Sequence, residues 1–179
     1  MHSIATPFVQ VPAELLSAVR SALANDRAPM EAVNLLRQVG YELGSAVDAA
    51  LRAHVSDANH GSAPEAVEPE RFWKAAADFF QGLGWGHLEQ SQPHPGVGAI
   101  DLVDWIESSA GGGPPGAHIT TGIFTDLLGR LAGGSVVVME VPAGPGRTRL
   151  LFGAGETLGA VYQSITTGAT PDEALARLA

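Results

Sequence analysis

The residue in this chain best placed to do chemistry is Glu140, the single charge in the apolar run Val136-Val137-Val138-Met139-Glu140-Val141. An acid in such a run costs free energy unless something compensates it, so it is a metal ligand, a structural partner for another group, or a remnant. Other chemically suggestive spacings are weaker. His54, Asp57 and His60 could be drawn as metal ligands, but they lie in or beside the polar stretch from Ser56 to Glu68 with no fourth donor nearby, and solvated polar residues are the simpler reading. The run Gly153-Ala154-Gly155-Glu156-Thr157-Leu158-Gly159 follows a strand pattern and opens a helix, where a dinucleotide fingerprint belongs. It fails because no later strand completes a βαβ unit and because Glu156 would place negative charge where a pyrophosphate should sit. The glycines around Trp85 fail the same context test. No GxSxG, P-loop or HExxH is present, so no catalytic residue is expected.

Composition narrows the classes further. The 179 residues suit one domain, able to bury roughly 70% of its unfolded surface. A hydrophobic fraction of 45% and a charged fraction of 16% are globular values, and no run of apolar residues is long enough for a membrane span or a leader. A cytoplasmic, membrane-free protein is the expectation. The absence of cysteine removes disulfides, thiolate nucleophiles and cysteine-based zinc or iron–sulfur sites. A net charge of −9 argues against nucleic acid, whose phosphates demand clustered Lys and Arg.

Several elements must position Glu140. Residues 1 to 11 alternate weakly and read either as a packing tail or as disorder. Pro12 begins a helix lined by Leu15, Leu16, Val19 and Leu23, and Pro29 opens a longer one running to about Val55. Gly40 and Gly44 lie inside that second helix at about 1 kcal/mol each relative to Ala, which calls for close helix packing or a backbone wall beside a ligand. Pro69 starts a third helix with an aromatic face of Phe72, Trp73, Phe79 and Phe80. Strands follow, one leading to Gln90 and one from Val97 to Ile106, and then the Gly/Pro loop from Ser108 to Gly116. Ile123, Phe124, Leu127, Leu128 and Leu131 keep helical spacing up to the stop at Gly133-Gly134. The Val136 strand, a Pro/Gly turn and the strand from Arg147 to Phe152 form a hairpin. A helix from Glu156 to Ile165 and a capped one at Thr170-Pro171-Asp172-Glu173 finish the chain. Hairpins flanking a helix give an α+β fold, a four-stranded antiparallel sheet packed against helices.

The runs HITTGIFTDLLGRLAG, SVVVMEV, RTRLLFG and GETLGAVYQSITTGATPDEAL, with the upstream part from about Met30 to Ser108, resemble the 4-vinyl reductase domain family, related in fold to the vesicle-tethering subunits of TRAPP complexes. The resemblance implies an antiparallel sheet with helices, a homodimer, and a pocket for small hydrophobic or aromatic molecules. Members serve as sensor domains of aromatic-responsive regulators or accompany bacteriochlorophyll synthesis, and many hold zinc with one Glu and three Cys. Glu140 matches that Glu, but residues near Ala117, Ala143 and Leu150 stand where the cysteines would be. His118 is the only donor nearby, so no zinc and no other cofactor is expected. Cysteine-linked acylation, known in the tethering relatives, is impossible.

With the metal gone, Glu140 needs a partner. A hairpin symmetric about Gly144-Pro145 places Arg149 opposite it, in a cross-strand ion pair contributing ~0.2 to 1 kcal/mol. The run from Trp105 to Ser108 reproduces the W-x-x-S of aromatic-sensing members, with His87 as the nearest match to their pocket histidine. The resemblance thus points to ligand contact at Trp105 and His87, and Trp85, Phe80, Phe124 and Tyr41 are further candidate ligand contacts. Simple core for Trp105 and a surface place for His87 stand as the alternative. Residues 1–29 form an N-terminal segment and helix that could join a dimer, and residues 30–179 the ligand-binding domain. The expected function is non-catalytic binding of a small hydrophobic or aromatic ligand. The alternatives are an assembly dimer with a filled pocket and an auxiliary subunit in tetrapyrrole metabolism.

Overall fold

Prolines after polar stretches set three helix starts, a position where a missing N–H has no intrahelical acceptor to lose. Pro29 begins α2 (Pro29–Ala58), Pro69 begins α3 (Pro69–Gly82) and Pro171 begins α7 (Pro171–Ala176). The remaining elements are α1 (Ala13–Asp26), β1 (His87–His94), β2 (Val97–Val103), α4 (Ile106–Ser109), α5 (His118–Ala132), β3 (Val137–Pro142), β4 (Arg147–Gly153) and α6 (Gly155–Thr166), with a 3₁₀ turn at Pro64–Ala66. The computed structural model describes residues 13–59, 61–62, 64–109, 111 and 115–178. The alternation expected over residues 1 to 11, His60, and part of the Ser108–Gly116 loop lie outside them.

Helix ends follow local chemistry. Gly133 closes α5 in the left-handed region at φ 62°, where a residue without Cβ is not strained. Thr170 and Glu173 form the reciprocal capping box of α7, with the Thr170 N–H donating to the Glu173 carboxylate at 2.8 Å.

The sheet runs β1-β2-β4-β3 and every neighbouring pair is antiparallel. Strand alternation divides its side chains between two cores. Leu88, Ile100, Leu102, Val138 and Leu150 pack with α2, α3 and α5. Val97, Ala99, Val141 and Leu151 pack with Leu158 and Val161 of α6 and Ala174 and Leu175 of α7. The expected α+β architecture is therefore a sheet covered by helices on both faces. No helix among the described residues is long and apolar enough to cross a membrane.

The glycines of α2 are explained by contact with α5. A Cβ on Gly40 would collide with the Ile119 carbonyl, one on Gly44 would come 2.5 Å from the Asp126 side chain, and one on Gly122 would strike the Arg37 carbonyl. The two helices meet backbone to backbone, which offsets the helix cost of each glycine. Of the two readings for Gly40 and Gly44, close packing is the one the contacts support.

Two boundaries depart from expectation. Strand β2 stops at Val103 and does not reach Ile106, because Asp104, whose N–H makes a last in-register bond to the Gly146 carbonyl at 3.1 Å, turns to φ 50°. Asp is one of the few residues that tolerates this conformation. The chain then winds into α4. The hairpin register is also one residue away from the symmetric guess. Glu140 pairs with Leu150 and Val141 with Arg149, because the turn carries an extra residue between Gly144 at φ 93° and Gly146 at φ 68°. Adjacent positions point to opposite faces. The expected Glu140–Arg149 ion pair is therefore absent.

Substituting Gly40→Ala should destabilise the protein by about 1 to 3 kcal/mol, since overpacking outweighs the better helix propensity of Ala. Gly159→Ala in α6, where a Cβ meets nothing within 4 Å, should instead stabilise by up to ~1 kcal/mol. Urea unfolding of both variants checks the contrast.

Candidate functional site

Helix α5 starts at His118 without a side-chain cap from Ala117, the residue before it. Its orphaned amides are taken by a carboxylate from another element, as an uncapped N-terminus requires. Glu107 on α4 accepts the Ile119 N–H at 2.8 Å on one oxygen, and the Thr120 N–H and hydroxyl, each at 2.8 Å, on the other. Arg20 of α1 closes over the same carboxylate. One of its terminal nitrogens lies 3.3 Å from Glu107 Oε1, 3.0 Å from the Glu107 carbonyl and 2.8 Å from the Gly116 carbonyl. Both side chains of this pair are 2% exposed. Burial pushes the Glu107 carboxyl above its ordinary value, against the opposing pull of the two amides, the Thr120 hydroxyl and Arg20.

The hydrogen bonds continue into an aromatic cluster. Trp105 is fully buried, and its indole N–H donates to Thr120 Oγ1 at 2.8 Å. A relay thus runs from Trp105 through the Thr120 hydroxyl to the Glu107 carboxylate. Around Trp105 stand Phe80, with ring centroids 5.6 Å apart, and Trp85, at 5.8 Å and nearly perpendicular. Phe80 also touches Phe124 at 5.5 Å and Trp85 at 5.7 Å. These are favoured tilted and edge-to-face contacts. Trp85 is only partly buried, and glycines at positive φ flank it, Gly84 at 78° and Gly86 at 123°.

Of the six residues singled out for ligand contact, Trp105, Trp85, Phe80 and Phe124 are brought together. His87 lies exposed at the start of β1, opposite Val103. Tyr41 is 51% exposed on α2 and lines a separate cleft of about 430 Å³ with Thr121, Thr125 and Val138.

Glu140 has found other company. It accepts the Ala117 N–H at 3.1 Å, and its Oε2 lies 3.4 Å from His118 Nδ1. That His118 approach is within ion-pair distance, but its geometry is not that of a hydrogen bond, and neither ring nitrogen has a hydrogen-bond partner. Gly116 at φ 127° makes the room, since a Cβ there would come 2.5 Å from Glu140 Oε1. Arg149, on the other face, instead makes a two-pronged pair with Asp101 across β2, at 2.8 and 2.9 Å, and approaches Asp172 at 3.6 Å. It is a well-formed pair of the kind Arg geometry favours. As a zinc site the Glu140 region does not fit. Ala117, Ala143 and Leu150 offer no donor atoms, Glu140 and His118 supply only two groups, and no cluster of three His, Cys, Asp or Glu able to hold a metal occurs among the described residues.

Sequence reasoning passed over Glu107, Arg20, Thr120 and Asp101. A signal existed for two of them. Arg20 is the one cation in α1, and Glu107 sits inside the W-x-x-S run. Their sequence distance hid the pairing.

Metal analysis of purified protein should find no stoichiometric zinc, and a chelator should leave the thermal midpoint unchanged. Tightly held zinc at one per chain would contradict the donor count.

No family model matches the chain, and no curated protein matches it. A solved structure does: the crystal structure of the phenol-responsive sensory domain of the transcription activator PoxR with phenol. It aligns over 83% of this chain and 77% of its own, with a TM-score of 0.61 and 15% sequence identity. At that identity the likeness establishes a shared fold, and the chain has the architecture of that sensory domain.

Proposed function

We propose that this chain is a non-catalytic binder of a small hydrophobic or aromatic molecule, of the 4-vinyl reductase type. One observation carries the reading: a buried hydrogen-bond relay, Trp105 to Thr120 to Glu107, opens onto a contiguous aromatic cluster. Apolar walls with one convergent polar group are the usual make-up of a site for such ligands. A phenolic hydroxyl beside Trp105 could take the place of Thr120 as acceptor of the indole N–H. The fold shared with a phenol-responsive sensory domain supports the same ligand class.

In the conformation described, the rings of the cluster touch one another, so a ligand must displace one. Trp85 is the candidate. It is the partly exposed member, whereas Phe80, Trp105 and Phe124 are fully buried. Phe80, Trp105 and Phe124 then form the fixed wall, while His87 and Tyr41 lie outside it.

A second reading is favoured by the filled cluster and by the apolar side chains left in solvent. Leu15 and Val19 on α1 and Met30, Val39 and Leu43 on α2 are each more than 40% exposed. In that reading the chain is an assembly homodimer, with residues 1–29 contributing to the contact and residues 30–179 forming the main domain.

Thermal unfolding with phenol, indole, a fatty acid and a porphyrin separates the two. The binder reading expects stabilisation by an aromatic compound, about 2.7 kcal/mol at a hundredfold excess over its dissociation constant. It also expects Trp85→Ala to bind that compound at least as tightly as the parent. No stabilisation by any of the four, together with a midpoint that rises with protein concentration, would favour assembly.

A further inference from the structure

Buried polar side-chain atoms almost always have a hydrogen-bond partner, so a group of them without one calls for an explanation. Arg37 Nε and both ring nitrogens of His118 are such atoms, and both residues line one cleft of about 450 Å³ beside the β3–β4 turn. His118 is more than nine-tenths buried. We infer that this cleft is a second site, separate from the aromatic cluster, and that it takes a small organic monocarboxylate.

The class of ligand follows from the lining. An arginine side chain only donates hydrogen bonds and stays charged, so the missing partner of Arg37 is an acceptor oxygen. Arg147 from β4 also lines the cleft, and among the described residues Glu140 is its one anion. Two arginines and one acid among the lining residues leave a single positive charge to be matched, in a protein whose net charge is −9. A monoanion matches it. A doubly charged phosphate exceeds it and meets Glu140. Pro115 and Pro142 supply an apolar wall for the body of the acid. His118 completes the set by turning a ring nitrogen toward the bound carboxylate, with Glu140 behind its Nδ1 at 3.4 Å.

Isothermal titration of the full chain with benzoate tests the site, with benzyl alcohol and inorganic phosphate as comparisons. Benzoate should bind at one per chain and at least tenfold more tightly than either comparison. Arg147→Gln and Arg37→Gln should each weaken benzoate at least tenfold, while Arg177→Gln on the exposed end of α7 should leave it unchanged. The ring resonances of His118, assigned by their loss in His118→Gln, should shift on adding benzoate. Absence of benzoate binding would overturn the inference, as would phosphate or benzyl alcohol binding equally well. Should Arg37→Gln fail to fold, Arg147→Gln at the exposed start of β4 decides: unchanged benzoate affinity in that variant, with a parental unfolding midpoint, would also overturn it. Phenol binding that survives Arg147→Gln would show the aromatic cluster to be a separate site.

Discussion

The structure depends on one buried carboxylate. Glu107 caps the N-terminus of α5, holds the hydroxyl that orients Trp105, and receives Arg20 from α1. Moving both charges out of water costs several kcal/mol per ion, and their mutual attraction repays this only when further hydrogen bonds complete the geometry. Here they do. The carboxylate accepts two amides and one hydroxyl besides Arg20, and Arg20 also reaches two backbone carbonyls. Such an arrangement contributes more to a unique geometry than to net stability. It ties together α1, the corner after β2 and the start of α5, which are far apart in the chain.

From that anchor the remaining layers follow. With its first turn fixed, α5 lies against the glycine positions of α2, where backbone meets backbone. The pair covers the sheet face carrying Ile100, Leu102 and Leu150. The opposite face is apolar at its centre under α6 and α7 and carries the Asp101–Arg149 pair. Alternation along β4 explains why Arg149 and Glu140 cannot meet: one belongs to each face. The Glu140 side is left with polar groups that lack full partners, and the Trp105 side with aromatic rings and a single relay. Two chemically different environments result, one with unpartnered polar atoms and one made of aromatic rings.

Much of the fold was legible because its signals are local. Proline at helix starts, the glycine stop after Ala132, the capping box at Thr170 and the apolar runs of the strands each act within a few residues. The α+β arrangement followed from their order. What escaped had nonlocal or one-residue causes. The hairpin register turned on a single extra turn residue between two positive-φ glycines. The end of β2 turned on Asp104 entering the left-handed region, which an apolar run does not reveal. The aromatic half of the candidate site, the group around Trp105, was legible, but its polar half was not, since Arg20 and Glu107 lie 87 residues apart. Neither shows its partner in its own neighbourhood.

A double-mutant cycle between Arg20 and Glu107, read by urea unfolding, tests this account most directly. Arg20→Met and Glu107→Gln should each destabilise by about 3 to 5 kcal/mol, because each leaves a buried group of the pair uncompensated. The double variant should cost far less than the sum, with a coupling of about 2 kcal/mol or more. Additive losses, or single variants within ~0.5 kcal/mol of the parent, would show that α5 and Trp105 are positioned by something other than this pair.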